Sequence, residues 1–269
     1  MMERFTHNVG DNMISYMDQG IGHCVVLIHG FCGNHNYWKY IVPHLVKKNR
    51  VLTIDLRGHG ESSTPRDSYE IAEMAEDISI LLNSLQIDRA TLVGHSLGGY
   101  IGLAFAEKHP EKLSGLALVH STAFPDTEIG KVNRDRGIQK ITAEGIVPFV
   151  NDLIPKLFSV KNANERKNEI DYVKSIGYKT SDYGAICALD AMKNRPDRND
   201  VLRSLEVPVL LVAGREDQLI PLDRAFSVEK PTINHVVIED CGHMSMLEQP
   251  DQLVDVLLHY LQTITDSKR

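Results

Sequence analysis

Ser96 stands in Val93-Gly94-His95-Ser96-Leu97-Gly98-Gly99, between an apolar run at 90–93 and an amphipathic one at 97–108. A strand that turns at once into a helix forces the joining residue into a cramped, sparsely allowed conformation. Side chains two positions to either side would collide there, and glycine at 94 and 98 removes the colliding Cβ atoms. The amides that open the helix then point at the space beside the Ser96 hydroxyl, where an oxygen with developing charge can sit.

Gly-x-Ser-x-Gly arises by chance in a chain of this length about one time in ten, so its surroundings decide. Ala90-Thr91-Leu92-Val93 is short, apolar and β-prone. Leu97, Ile101, Ala104 and Phe105 recur at helical spacing until Lys108-His109-Pro110 ends the run. Strand, turn and helix are all encoded.

The rest of the chain repeats this alternation. Phe5, His7 and Val9 alternate with polar neighbours before Gly10-Asp11-Asn12, an opening hairpin completed by 13–17. Runs at 25–28, 51–54, 90–93, 116–119, 207–212 and 235–238 are apolar on both faces, as a buried parallel sheet requires. Helical stretches at 71–85 and 97–108 lie between them, the pattern of a doubly wound α/β domain. The rhythm breaks at 124–196, where polar, helix-prone segments carry Pro125, Gly145, Pro148, Pro155 and Gly177. That stretch is expected to be a helical cap, inserted after the sixth strand over the sheet edge where open α/β sheets bind ligands. The core would then comprise 1–123 and 197–269.

At 269 residues and 42% hydrophobic, the chain can bury a sizeable core. Its net charge of −7 is not gathered into a block, which argues against a nucleic-acid partner. No apolar stretch approaches the ~20 residues that span a bilayer, and Met1 to His7 does not read as a leader. A cytoplasmic protein without a membrane partner is expected. Cys24, Cys32, Cys187 and Cys241 show neither disulfide nor zinc spacing, so reduced thiols are expected.

A serine hydroxyl needs a neighbouring base, and the base an orienting acid. The run at 207–212 leads into Ala213-Gly214-Arg215-Glu216-Asp217, and that at 235–238 into Glu239-Asp240-Cys241-Gly242-His243. Serine, acid and histidine would emerge on one sheet edge.

These motifs, with His29-Gly30-Phe31, with Asp55-Leu56-Arg57-Gly58-His59-Gly60-Glu61-Ser62 and with Glu248-Gln249-Pro250, resemble the α/β-hydrolase superfamily over nearly the whole length. Within it, the segment 185–197 is similar to that of carboxylesterases and enol-lactonase-like hydrolases. The resemblance implies a mostly parallel twisted sheet with helices on both faces and a helical cap. It makes Ser96 the nucleophile, Asp217 the acid and His243 the base, with the backbone N–H groups of Phe31 and Leu97 as the oxyanion hole. No cofactor and no metal are implied. Glu216 is the alternative acid. His29, His59 and His95 are expected in local hydrogen bonds, with Asp55 and Arg57 bracing their loop.

The implied reaction is ester hydrolysis through an acyl-enzyme on a small, mostly apolar substrate. Trp38, Phe124, Phe149, Leu153, Met192, Leu219, Ile220 and Met244 are expected near it. An enol-lactonase, a dienoate-type carbon–carbon bond hydrolase and a cofactor-free perhydrolase would use the same serine. An anionic lactone would want a cation, for which Arg134, Arg136 and Arg195 are the options. A small-molecule receptor on this fold is the reading from another class. Serine at the turn, where aspartate would form an alkyl ester, excludes haloalkane dehalogenase and epoxide hydrolase chemistry.

Overall fold

A computed structural model describes residues 3–266. The outermost residues of the expected core segments, 1–2 and 267–269, lie outside that range. Eight strands form one sheet: β1 (Arg4–Val9), β2 (Asn12–Gln19), β3 (His23–Ile28), β4 (Asn49–Ile54), β5 (Ala90–His95), β6 (Leu113–Val119), β7 (Val209–Gly214) and β8 (Ile233–Ile238). Their spatial order is β1-β2-β4-β3-β5-β6-β7-β8. The opening hairpin is antiparallel, and every pairing from β4 to β8 is parallel.

Burial follows position in the sheet. Every residue of β5, β6 and β7 is buried, which is what their apolarity on both faces requires, whereas the edge strands β1 and β8 are partly exposed. β7 starts at Val209, later than the expected 207–212 run, because Pro208 has no N–H to give a ladder. It continues to Gly214, opposite Ile238.

Parallel register sets where the functional loops emerge. Ile28 pairs with Gly94, His95 with Val119, Val119 with Val212, and Gly214 with Ile238. The loops carrying Phe31, Ser96, His120, Asp217 and His243 therefore leave one C-terminal edge. Between β6 and β7 the elements within 124–196 are all helical, including Glu128–Glu144, Ile146–Leu153, Val160–Glu165, Lys167–Gly177 and Asp182–Lys193. Among the described residues no helix is long and apolar enough to cross a membrane.

Candidate active site

The turn at Ser96 has the predicted form. The helix Leu97–Lys108 begins directly after it, and Ser96 itself has φ +50° and ψ −111°. A Cβ on Gly94 would collide with the carbonyl of Gly98, and one on Gly98 with the carbonyl of Ile28. The turn is held by Ser96 N–H donating to the Val119 carbonyl at 2.9 Å and by the Ser121 hydroxyl donating to the Ser96 carbonyl at 2.8 Å. From Ala90 to Ala106 every residue is buried except Ser96, which is half-buried. The N–H groups of Phe31 and Leu97 enter no turn or cap hydrogen bond among the described residues.

Asp217 and His243 come together in the interior. His243 Nδ1 lies 2.7 Å from Asp217 Oδ2, both side chains being almost wholly buried. A carboxylate only accepts, so Nδ1 carries the proton and Nε2 is left as a base. Asp217 Oδ1 accepts from the backbone N–H groups of Leu219 and Ile220 at 2.8 and 3.0 Å. Burial alone would raise the Asp217 carboxyl, but the imidazoles of His243 and His120 override it and hold it well below the usual carboxylate range. Glu216, the alternative acid, is exposed.

The loop of His243 is fixed on three sides. Its N–H donates to the carbonyl of Leu157 at 2.7 Å, and its carbonyl lies 2.9 Å from His95 Nε2. The N–H groups of Gly242 and Met244 both donate to Glu248 Oε1 at 3.0 Å. The other oxygen of this fully buried carboxylate accepts from Ser159 N–H at 2.9 Å and Asn162 Nδ2 at 2.8 Å.

The remaining signature residues serve the loops. His29 Nδ1 lies 2.7 Å from the Gly30 carbonyl, His59 Nδ1 3.0 Å from that of Arg57, and Asp55 accepts from the N–H groups of His35 and Glu61. Arg57 pairs with Asp77 at 2.6 Å. Arg134 and Arg195 are both spent on Asp126, at 3.0 and 2.6 Å, and Arg136 is exposed.

The expected lining residues separate by burial. Trp38 and Met244 are wholly enclosed in the hydrophobic core, and Met192 and Ile220 nearly so. Phe124, Phe149 and Leu153 are half-buried, and Leu219 is exposed. The Phe149 ring sits edge-on to that of Phe31 at 5.8 Å, which brings the helix Ile146–Leu153 onto the loop after β3.

Sequence reasoning missed His120. It is fully buried, with Nδ1 3.3 Å from Asp217 Oδ2. The only signal available was position: His120-Ser121-Thr122 follows an apolar strand that neighbours those leading to Ser96 and Asp217. His120, Asp217 and His243 offer ligand atoms within 4.8 Å of one another. The 2.7 Å separation of His243 from Asp217 is that of a shared proton. Two ligands of a tetrahedral zinc, each ~2.0–2.1 Å from the ion, stand roughly 3.3 Å apart.

A mostly parallel sheet with a serine turn and an imidazole–carboxylate pair on one edge is the architecture of an α/β hydrolase. Residues 24–250 match the alpha/beta hydrolase fold family, and the chain belongs to it. A thermophilic esterase from Thermogutta terrifontis is 30% identical and superimposes with a TM-score of 0.91 over 97% of this chain and 99% of that one. The enol-lactonase from Burkholderia xenovorans LB400, 23% identical, shares the fold with a TM-score of 0.89 over 96% of this chain and 99% of its own. By sequence, the 2-hydroxy-6-oxo-6-(2'-aminophenyl)hexa-2,4-dienoic acid hydrolase of Metapseudomonas resinovorans is 26% identical over 100% of this chain and 93% of that protein.

Proposed function

We propose that the protein is a serine hydrolase that cleaves a small, mostly apolar carboxylic ester through an acyl-enzyme, with Ser96, Asp217 and His243 as its triad. The observation that carries this reading is the tie between turn and base. His95, the residue before Ser96, holds the carbonyl of His243, whose Nδ1 is committed to Asp217 and whose Nε2 is left free to take a proton.

In this reading Ser96 Oγ attacks the ester carbonyl carbon while its proton passes to His243 Nε2. The N–H groups of Phe31 and Leu97 receive the oxyanion, each contributing roughly 3 kcal/mol of transition-state stabilisation. Collapse expels the alkoxide, which takes the proton from His243 and leaves as the alcohol. Water then attacks the acyl-enzyme, His243 accepts its proton, and the acid departs as Ser96 Oγ is reprotonated.

The reading takes 124–196 as a cap over a core of 1–123 and 197–269, acting on its substrate in the cytoplasm. Half-buried Phe31, Phe124, Phe149 and Leu153 support an apolar substrate. The commitment of Arg134 and Arg195 to Asp126 disfavours an anionic lactone. Ser96→Ala and His243→Ala should each abolish hydrolysis of a short-chain nitrophenyl ester while the circular dichroism stays that of the parent. Wild-type turnover in either would remove the triad. No turnover by the parent, together with stabilisation by a small ligand, would favour a receptor.

A further inference from the structure

His120, the residue directly after β6, lies in the left-handed region at φ +49°, with its side chain enclosed. The titratable groups facing its ring come from two neighbouring loops, one strand end and one helix. They are Asp217 after β7, His243 after β8 with ring centroids 5.5 Å apart, His95 at the end of β5 at 6.1 Å, and Glu248 on the short helix Ser245–Glu248.

Its hydrogen-bond surroundings select one protonation form. Nδ1 faces Asp217 Oδ2 at 3.3 Å and the N–H of Gly214 at 3.2 Å, while Nε2 faces the N–H of Ser245 at 3.4 Å. The imidazolium would set a donor against each of those backbone donors. The Nε2–H tautomer would oppose the Ser245 N–H and turn a lone pair of Nδ1 on the carboxylate. The Nδ1–H tautomer turns a donor rather than a lone pair toward the charged oxygen 3.3 Å away and accepts from Ser245, at the cost of the Gly214 contact alone. Burial, which pushes this imidazole below its ordinary value against the pull of Asp217, favours the same neutral state.

We infer that His120 is a positioning residue, which donates from Nδ1 to Asp217 Oδ2, accepts at Nε2 from Ser245 and so limits how much of the carboxylate's charge falls on His243. This rests on the triad proposed above. Oδ2 is the oxygen that also accepts from His243. With His120 as a second donor on that oxygen, less of its charge faces His243 than from an undivided carboxylate, and the acid limb of the pH profile reads that difference.

The test is the pH profile of kcat/KM for a short-chain nitrophenyl ester in the intact protein. Removing the second donor in His120→Ala should move the acid limb up by about 0.5–1 pH unit, with KM within about twofold. His120→Asn keeps a donor at the Nδ1 position and tolerates positive φ, so its limb should return to that of the parent. A folded His120→Ala with an unmoved or lowered limb overturns the proposal, since a merely structural role would change rate and stability without moving it. Should His120→Ala fail to fold, 15N signals of the imidazoles in the parent at pH 7 decide: Nδ1 protonated on His120 supports the proposal, and Nε2 protonated overturns it. Ser96→Ala separates the two readings. If it is inactive while the His120→Ala limb is unmoved, only the role of His120 falls; if it turns over, the triad falls and takes this proposal with it.

Discussion

His95 Nε2 lies 2.9 Å from the carbonyl oxygen of His243, so the residue preceding the proposed nucleophile grips the backbone of the proposed base. A carbonyl only accepts, so Nε2 carries the proton and the buried Nδ1 is left without a partner. Burial, followed by the neighbouring His243 and His120, holds this imidazole well below its ordinary value, so it stays a neutral donor. His95→Ala should lose about 1–2 kcal/mol of positioning, or roughly five- to thirtyfold in kcat/KM. His95→Gln, whose amide nitrogen reaches the same carbonyl, should recover most of it. Steady-state kinetics of the two variants check this, and equal losses in both would contradict it.

Stability should fall with acid well before the carboxylates titrate. Burial lowers His29 to about 3 and His59 to about 4, against 6.5 for the free side chain. The unfolded chain therefore binds protons that the folded one does not as pH drops from about 6.5 towards 4, so stability rises with pH across that window. Each histidine contributes up to about 1.4 kcal/mol per pH unit, and together they predict a loss of roughly 2–4 kcal/mol between pH 7 and pH 5. Urea midpoints at the two pH values measure it, and His59→Gln should flatten the dependence.

The fold was legible because each central strand is apolar on both faces and each strand end carries a recognisable loop. The strained turn at Ser96 was legible for a steric reason, since the carbonyls of Gly98 and Ile28 leave no room for side chains at Gly94 and Gly98. His120 was not, because its partners Asp217, Gly214 and Ser245 lie about a hundred residues away in sequence and meet it only through the β6–β7 register. The same holds for Glu248, a familiar motif position whose grip on Ser159 and Asn162 no spacing announces. Trp38 and Met244, expected beside the substrate, have no exposed surface, and burial alone looks alike for a side chain that faces a ligand and one that faces the interior.

Glu248 should be among the costliest charged residues to replace. One of its oxygens serves the N–H groups on either side of His243, and the other serves Ser159 and Asn162. Glu248→Gln turns one acceptor into a donor facing donors, at about 2–4 kcal/mol. For a domain of this size that lowers Tm by roughly 5–10 °C. Because the strain falls on both flanks of His243, kcat should drop as well. Calorimetry with kinetics below the transition tests both effects, and an unchanged Tm would show that the carboxylate is dispensable.

Thiol reagents should leave the native protein active, although Cys32 adjoins the proposed oxyanion donor Phe31 and Cys241 lies close to His243 in the chain. All four cysteines are buried, and Cys32 and Cys241 have no exposed surface at all. Burial pushes the Cys24 thiol up to about 12 and drives Cys32 and Cys241 higher still, so none supplies the thiolate that such reagents attack. Cys32 also sits at φ +56°, in a loop whose Gly33 N–H donates to the Gly30 carbonyl at 3.0 Å, so the backbone that would have to open to expose it is the one presenting Phe31. Titration with a chromogenic disulfide should find no fast thiol in the folded protein and all four after denaturation, with ester turnover unchanged by the reagent. Rapid loss of activity that Cys32→Ser abolishes would show instead that this loop opens on the timescale of the reaction.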